Sequence, residues 1–140
     1  MVRIVSDTST LYSTTQALEA GFAVSPLSVT IGGKSYREFD EISSEQFVAL
    51  IRQGNMPTSS QPAIGEVTEL YEKYPEDEIL NISMAMGLSG TYDSAVAAAK
   101  ICDDVGVLRS STAVPSVAPT AIWWRKQPNL PRLVRVWLRL

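Results

Sequence analysis

Short runs rich in β-branched residues, at residues 3–7, 22–31, 78–83 and 105–108, alternate along the chain with segments whose apolar residues recur at helical spacing. Strands with a helix between them are not joined as tight hairpins. They favour a parallel sheet with helices packed over it, and in such sheets ligands bind beyond the carboxyl ends of the strands. The expected fold class is therefore α/β, a parallel-sheet sandwich with helices.

The turn chemistry refines this outline. The Asp7-Thr8-Ser9-Thr10 cluster after the first strand offers several capping oxygens for a helix running to about Gly21. Gly32-Gly33 is a strong turn between residues 22–31 and a hairpin strand over 34–39. Ser43 with Gln46 three residues on forms a capping box for a helix that stops at Gly54. Residues 55–62 read as a hydroxyl-dense loop, with Pro62 placed for the first turn of the next helix. In that helix Ile64, Val67, Leu70, Tyr71 and Tyr74 make one apolar face. Met84 to Leu88 then form a loop before an alanine-rich helix over 89–101, and residues 105–108 open a third core strand.

Composition removes several chemistries. The 140 residues are 45% apolar and only 19% charged, which suits one compact core. There is no histidine, so a Ser-His-Asp hydrolase is excluded, and Gly87-Leu88-Ser89-Gly90-Thr91 lacks the glycine spacing of a nucleophile elbow. Cys102 is the single cysteine; it cannot form an internal disulfide, and a structural zinc site is discarded. No metal and no cofactor are expected, nor catalytic residues. The start of the chain has neither a secretion signal nor an apolar run able to span a bilayer, which leads to the expectation of a cytoplasmic, soluble protein without stable membrane insertion.

Two hydroxyl-rich loops, 57–61 and 83–91, each precede a helix. A helix start presents unpaired N–H groups and partial positive charge, so two such ends can share one carboxylate or phosphate. The plainer alternative is that Ser60 and Ser89 cap their own helices.

The segments Ile4-Val5-Ser6-Asp7-Thr8-Ser9, Val24-Ser25-Pro26-Leu27, Pro57-Thr58-Ser59-Ser60-Gln61-Pro62 and Leu88-Ser89-Gly90-Thr91-Tyr92-Asp93-Ser94-Ala95 resemble, in order and spacing, the signature segments of the DegV family. The resemblance runs through residue 108. It implies a two-domain α/β fold that encloses an acyl chain in an apolar tunnel, of which this chain would hold an incomplete N-terminal domain. By the same resemblance the protein is not an enzyme: it binds a long-chain fatty acid and presents it to a fatty-acid kinase, with no nucleic acid among its partners. The family's carboxylate-binding hydroxyls fall on Ser59, usually threonine in relatives, and on Ser89. Serine and threonine offer the same donor and acceptors. Thr58, Ser60, Gly90 and Thr91 are the neighbouring candidates, and an alternative alignment moves the first role to Thr58. Met84, Met86 and Leu88 are candidates for the tunnel wall, against the commoner use of methionine as core filling. A phosphate- or nucleotide-handling α/β enzyme is the competing reading, although neither a Walker lysine nor a Gly-x-Gly-x-x-Gly turn is present.

Residues 109–140 break the pattern. All fifteen acidic residues lie at or before Asp104, while Arg109, Arg125, Lys126, Arg132, Arg135 and Arg139 are half of the twelve basic ones. Prolines 115, 119, 128 and 131 interrupt any periodicity. The family would continue instead with a strand ending in Asp-Ser and an alanine-rich helix. Codons shifted by one base permit Asp-Ser-Arg-Thr-Val-Ser from Thr112, force Met or Leu and then Val across Trp123-Trp124, and permit Ala-Glu-Ala-Ala-Lys-Leu-Ala through Pro131. The tail is expected to be out-of-frame translation that begins near residues 105 to 111. Taken at face value, Arg132, Arg135 and Arg139 would line one helical face with Leu133, Trp137 and Leu140 elsewhere, a basic amphipathic segment for an anionic membrane surface or nucleic acid.

Overall fold

In chain order the computed structural model contains β1 (Val2–Asp7), a 3-10 turn (Thr8–Thr10), α1 (Thr14–Glu19), β2 (Ala23–Ser25), β3 (Ser28–Ile31), β4 (Lys34–Arg37), α2 (Ser44–Arg52), β5 (Thr58–Ser60), α3 (Ile64–Glu72), β6 (Glu78–Met84), α4 (Thr91–Ile101) and β7 (Arg109–Ala113). It describes residues 1–102 and 109–113.

Four of the strands form the expected parallel sheet, in the order β2-β1-β6-β7. Val5 sits at its centre, beside Ala23 on one side and Asn81 on the other. On the face shared by these residues α3 and α4 close a core of Val5, Ala23, Val67, Tyr71, Ile79, Ala98 and Cys102. The apolar face read for the α3 segment is the one that packs, with Val67 and Tyr71 buried. Inside this core the Asn81 amide donates to the Tyr71 hydroxyl at 2.7 Å. The opposite face carries a smaller cluster, Leu80 with the partly buried Ile4 and Ile82.

The run read over residues 22–31 divides between two sheets: β2 belongs to the first, while β3 joins the expected hairpin strand β4 and β5 in a separate antiparallel sheet, β4-β3-β5. Gly32 and Gly33 both take positive φ, 60° and 77°, the conformation that a two-residue hairpin turn requires and that a side chain would oppose. Val29, Ile31 and Ile42 form its core with Tyr36, Phe47 and Leu50 packed against them. The Ser43–Gln46 capping box at the start of α2 is present in full. Gly54, with φ 89°, follows the end of that helix as expected.

Other expectations shift. The helix after β1 does not start at Asp7, whose carboxylate instead caps the 3-10 turn; Leu11, with φ 64°, ends that turn, and α1 begins later behind a Ser13–Gln16 capping box. Local hydroxyls compete for the backbone here and delay the helix. Residues 58–60 are strand rather than loop, because they complete the free edge of β3. Pro62 is buried and lies ahead of α3 rather than in its first turn. The strand expected to open at residues 105–108 is found at Arg109–Ala113, paired in parallel with β6. It thus reaches into the segment that composition assigned to the tail. Residues 105–108, and the tail from 114 onward with its two tryptophans and arginines, lie outside the described residues.

Candidate functional site

The carboxyl ends of β1, β2 and β6 meet in a polar row buried under the helices. Asp7 pairs with Ser25 of β2, and Ser83 follows the last β1–β6 pair, Ser6 with Ile82. Because alternate residues of a strand share a face, these three lie on the side of Val5, Ala23 and Asn81. All three are buried. Asp7 accepts from the backbone N–H of Ser9 at 2.9 Å and from that of Met84 at 2.7 Å. The hydroxyls of Ser25 and Ser83 are buried with no hydrogen-bond partner among the described residues.

Next to Asp7, the buried Thr8 joins the two sheets. Its hydroxyl accepts from the backbone N–H of Leu27 at 3.1 Å and donates to the Glu38 carboxylate at 2.7 Å. A backbone bond from Glu38 N–H to the Leu27 carbonyl closes the same link. The sequence marked Asp7 and Thr8 only as helix caps. Their partners lie too far along the chain for local patterns to show.

From Met84 the chain enters the turn that carries Ser89. The N–H groups of Leu88 and Ser89 both point to the Ala85 carbonyl, at 3.0 and 3.4 Å. Ser89 is half-buried; its hydroxyl is hydrogen-bonded to that of Thr91 at 2.8 Å and accepts from the Thr91 N–H at 3.3 Å. The N-cap of α4 is Gly90, which has no side chain to serve, so Ser89 partly fills that role from one residue upstream. Thr91 itself is buried. Ser60, by contrast, does not cap α3. That helix has Ala63 at its N-cap and no side-chain cap at all.

Thr58, Ser59 and Ser60 are exposed along β5. Their register separates them: Ser59 lies opposite Val29, while Thr58 and Ser60 lie opposite Thr30 and Ser28. Ser59 therefore presents to one face of the strand and its two neighbours to the other, so Thr58 and Ser59 are not interchangeable.

The two hydroxyl loops come together at Gln61 and Gly90. A Cβ built on Gly90 would lie 2.6 Å from both Cδ and Oε1 of Gln61 and 2.7 Å from Nε2, closer than real side-chain contacts allow. The Gln61 carboxamide thus rests directly on Gly90, where α4 begins. Sequence reasoning quoted Gln61 within a motif but gave it no role.

Apolar side chains stand exposed on the adjoining turn. Met86 is 67% and Leu88 81% exposed, whereas Ala85 is buried and Met84 half-buried. Core filling is excluded for Met86 and Leu88. Cys102 is buried, and burial first, then the nearby Glu72, push its thiol up, the reverse of an activated nucleophile. Among the described residues no group of three or more His, Cys, Asp or Glu side chains is arranged to hold a metal ion, and no helix is long and apolar enough to cross a membrane.

Comparison with known proteins adds an independent line. Residues 1–122 match the family profile described as "Uncharacterised protein, DegV family". A DegV domain-containing protein of Listeria innocua is 36% identical over 121 residues, covering 84% of this chain and 43% of the relative. The chain therefore spans under half the length of that relative. Among solved structures, one reported as fatty acid binding of a DegV family protein from Thermus thermophilus superposes with a TM-score of 0.71 at 25% identity, over 99% of this chain and 52% of the other. A second, described as DegV, a fatty acid binding protein from Bacillus subtilis, gives 0.68 at 28% identity, over 80% of this chain and 40% of the other. These overlaps fit a partial domain of a longer α/β fold.

Proposed function

Because the chain belongs to the DegV family, we propose that it binds a long-chain fatty acid by its carboxylate, with Ser59 and Ser89 as the head-group hydroxyls. The observation that supports this most directly is the seat of the Gln61 amide on Gly90, which brings the end of β5 against the start of α4. Those are the two places where the hydroxyls stand. The relatives described as fatty-acid-binding add weight from outside the chain.

In this reading the hydroxyl pair sets which end of the ligand points where, and the acyl chain supplies most of the affinity, at roughly 0.8 kcal/mol per buried methylene. Met86 and Leu88, exposed beside Ser89, are available as part of an apolar wall. The protein acts as a cytoplasmic carrier and catalyses no reaction; presentation to a fatty-acid kinase follows from the family resemblance. Thr58, Ser60 and Thr91 serve as neighbours of the head group rather than as its main partners.

The domain assignment stays part of the same proposal: residues 1–108 as the family-like domain, 109–140 as a tail translated out of frame. The pairing of β7 with β6 does not decide between frames, since strand hydrogen bonds use backbone atoms that every non-proline residue has. The nucleotide sequence decides it. Family-like sequence in the neighbouring frame supports the tail reading, and its absence removes it.

Native mass spectrometry of the gently purified protein tests the ligand. A co-purified fatty acid that disappears on combining Ser59→Ala with Ser89→Ala supports the carrier. A bound nucleotide or phosphate would favour the α/β enzyme instead.

A further inference from the structure

Residues 27–60 are built as a body of their own. Their core, Val29, Ile31 and Ile42 with Tyr36, Phe47 and Leu50 packed on it, shares no residue with the two clusters on the faces of the parallel sheet. Two short passages join this body to the sheet: Pro26 after β2, and residues 61–63 between β5 and α3. Pro26 and Pro62 are buried, so each passage has a fixed seat rather than the freedom of a loose linker. Among the described residues, every side-chain hydrogen bond that crosses between the two parts ends on Thr8 or Thr14. The Thr8 hydroxyl accepts from the Leu27 N–H at 3.1 Å and donates to Glu38 at 2.7 Å. Asp40 accepts from both the N–H and the hydroxyl of Thr14, at 3.0 Å each. Between the two carboxylates Phe39 has φ 62°, and between the two threonines Leu11 has φ 64°. These are the only non-glycine residues with positive φ among the described residues, a conformation that persists only where its surroundings hold it.

We infer that residues 27–60 swing against the parallel sheet as one rigid body, pivoting on Pro26 and residues 61–63 and latched to Thr8 and Thr14 by Glu38 and Asp40. Opening the latch gives up a few hydrogen bonds and releases the strain at Phe39 and Leu11, while every apolar cluster stays whole. It therefore costs far less than unfolding either part. Ser59 belongs to the moving body and Ser89 to the sheet, so a ligand held by both favours the closed latch. This last step rests on the fatty-acid reading above.

Residue-resolved amide hydrogen exchange by NMR on the 140-residue chain reads the motion. The N–H groups of Leu27 and Thr14 are bonded across the seam, whereas that of Glu38, bonded to the Leu27 carbonyl, and those of the β3–β4 ladder are bonded inside the body. Asp40→Ala leaves the Leu27 bond untouched, and Glu38→Ala leaves the Thr14 bond untouched. Each is nonetheless expected to speed exchange at the distant seam amide about fivefold or more, because either loss loosens the whole latch. The β3–β4 and β1–β6 ladders are expected to exchange as in the parent. Should one variant fail to fold, the other carries the test. Saturating palmitate is expected to slow exchange at Leu27 and Thr14 in the parent.

Unchanged exchange at Leu27 in Asp40→Ala, or at Thr14 in Glu38→Ala, overturns the latch, since each contact would then act only on its own neighbours. A rise shared by the β3–β4 ladder also overturns it, because the body would be unfolding rather than swinging. Palmitate that binds without slowing either amide overturns the ligand's part in closing the latch and leaves the fatty-acid reading standing. Absence of palmitate binding sinks the fatty-acid reading, while exchange in the ligand-free variants still decides the latch.

Discussion

The Asp7 carboxylate, at the end of the first strand, receives a 2.7 Å hydrogen bond from the backbone N–H of Met84, at the end of the sixth. Its other oxygen holds the N–H of Ser9. One buried side chain thus fixes the start of the 3-10 turn and the start of the turn that carries Ser89.

Removing it should be costly in a specific way. Asp7→Ala empties a buried position and leaves two N–H groups, of the exposed Ser9 and the half-buried Met84, without their acceptor, and an orphaned buried group costs about 1–3 kcal/mol. A loss of roughly 2–5 kcal/mol in urea unfolding is expected. Asp7→Asn, which keeps one acceptor oxygen, should recover part of that loss. An Asp7→Ala protein as stable as the parent would show that the turns are held by something else.

The two serines proposed for the head group should behave in the opposite manner. Ser59 is exposed on a strand edge, and Ser89 is only half-buried with a hydroxyl neighbour as its partner. Replacing both by alanine should shift stability by no more than about 1 kcal/mol. Fatty-acid affinity should fall by tenfold or more over the same change. A large stability loss with unchanged affinity would reverse their assignment from binding to structure.

Alkali should reveal the buried tyrosine. Burial, partly offset by the hydrogen bond from Asn81, pushes the Tyr71 hydroxyl up to about 12. Since the folded state holds this proton more tightly than the unfolded chain, stability is unaffected below about pH 10 and falls as pH rises from there toward 12. The span is on the order of 3 kcal/mol. Tyr71→Phe should abolish that alkaline decline. It should also cost about 1–3 kcal/mol at neutral pH, because the Asn81 amide, whose oxygen already has no partner among the described residues, would lose its remaining one. Tyrosinate absorbance followed together with circular dichroism measures both effects.

Acid acts at the other end of the sheet. Burial alone would raise the Asp77 carboxyl, but hydrogen bonds from Arg3 and the terminal ammonium outweigh it and hold the group below its ordinary value near 3.8. Arg3 donates to Asp77 at 3.0 and 3.1 Å and lies over the Tyr74 ring at 4.4 Å. A depressed carboxylate contributes stability that is present above its unfolded value and lost as pH falls through the folded one. The parent should therefore outlast an Arg3→Ala variant in urea at neutral pH, and the gap should narrow below about pH 4. A gap independent of pH would assign the contribution of Arg3 to its packing on Tyr74.

What the sequence determined by itself was set by short-range rules. The Ser43–Gln46 box, the Gly32-Gly33 turn and the Val67–Tyr71 face each depend on residues within a few positions of one another, and each is found as read. The strand and helix alternation likewise fixed a parallel sheet. Only the tertiary structure decided that residues 58–60 pair as a strand, that Asp7 serves Met84, and that Gln61 lies on Gly90. In each of these cases the partner lies more than twenty residues away along the chain. Periodicity and capping carry no information about such distant meetings, which exist only once the helices have packed over the sheet and brought its carboxyl edge together.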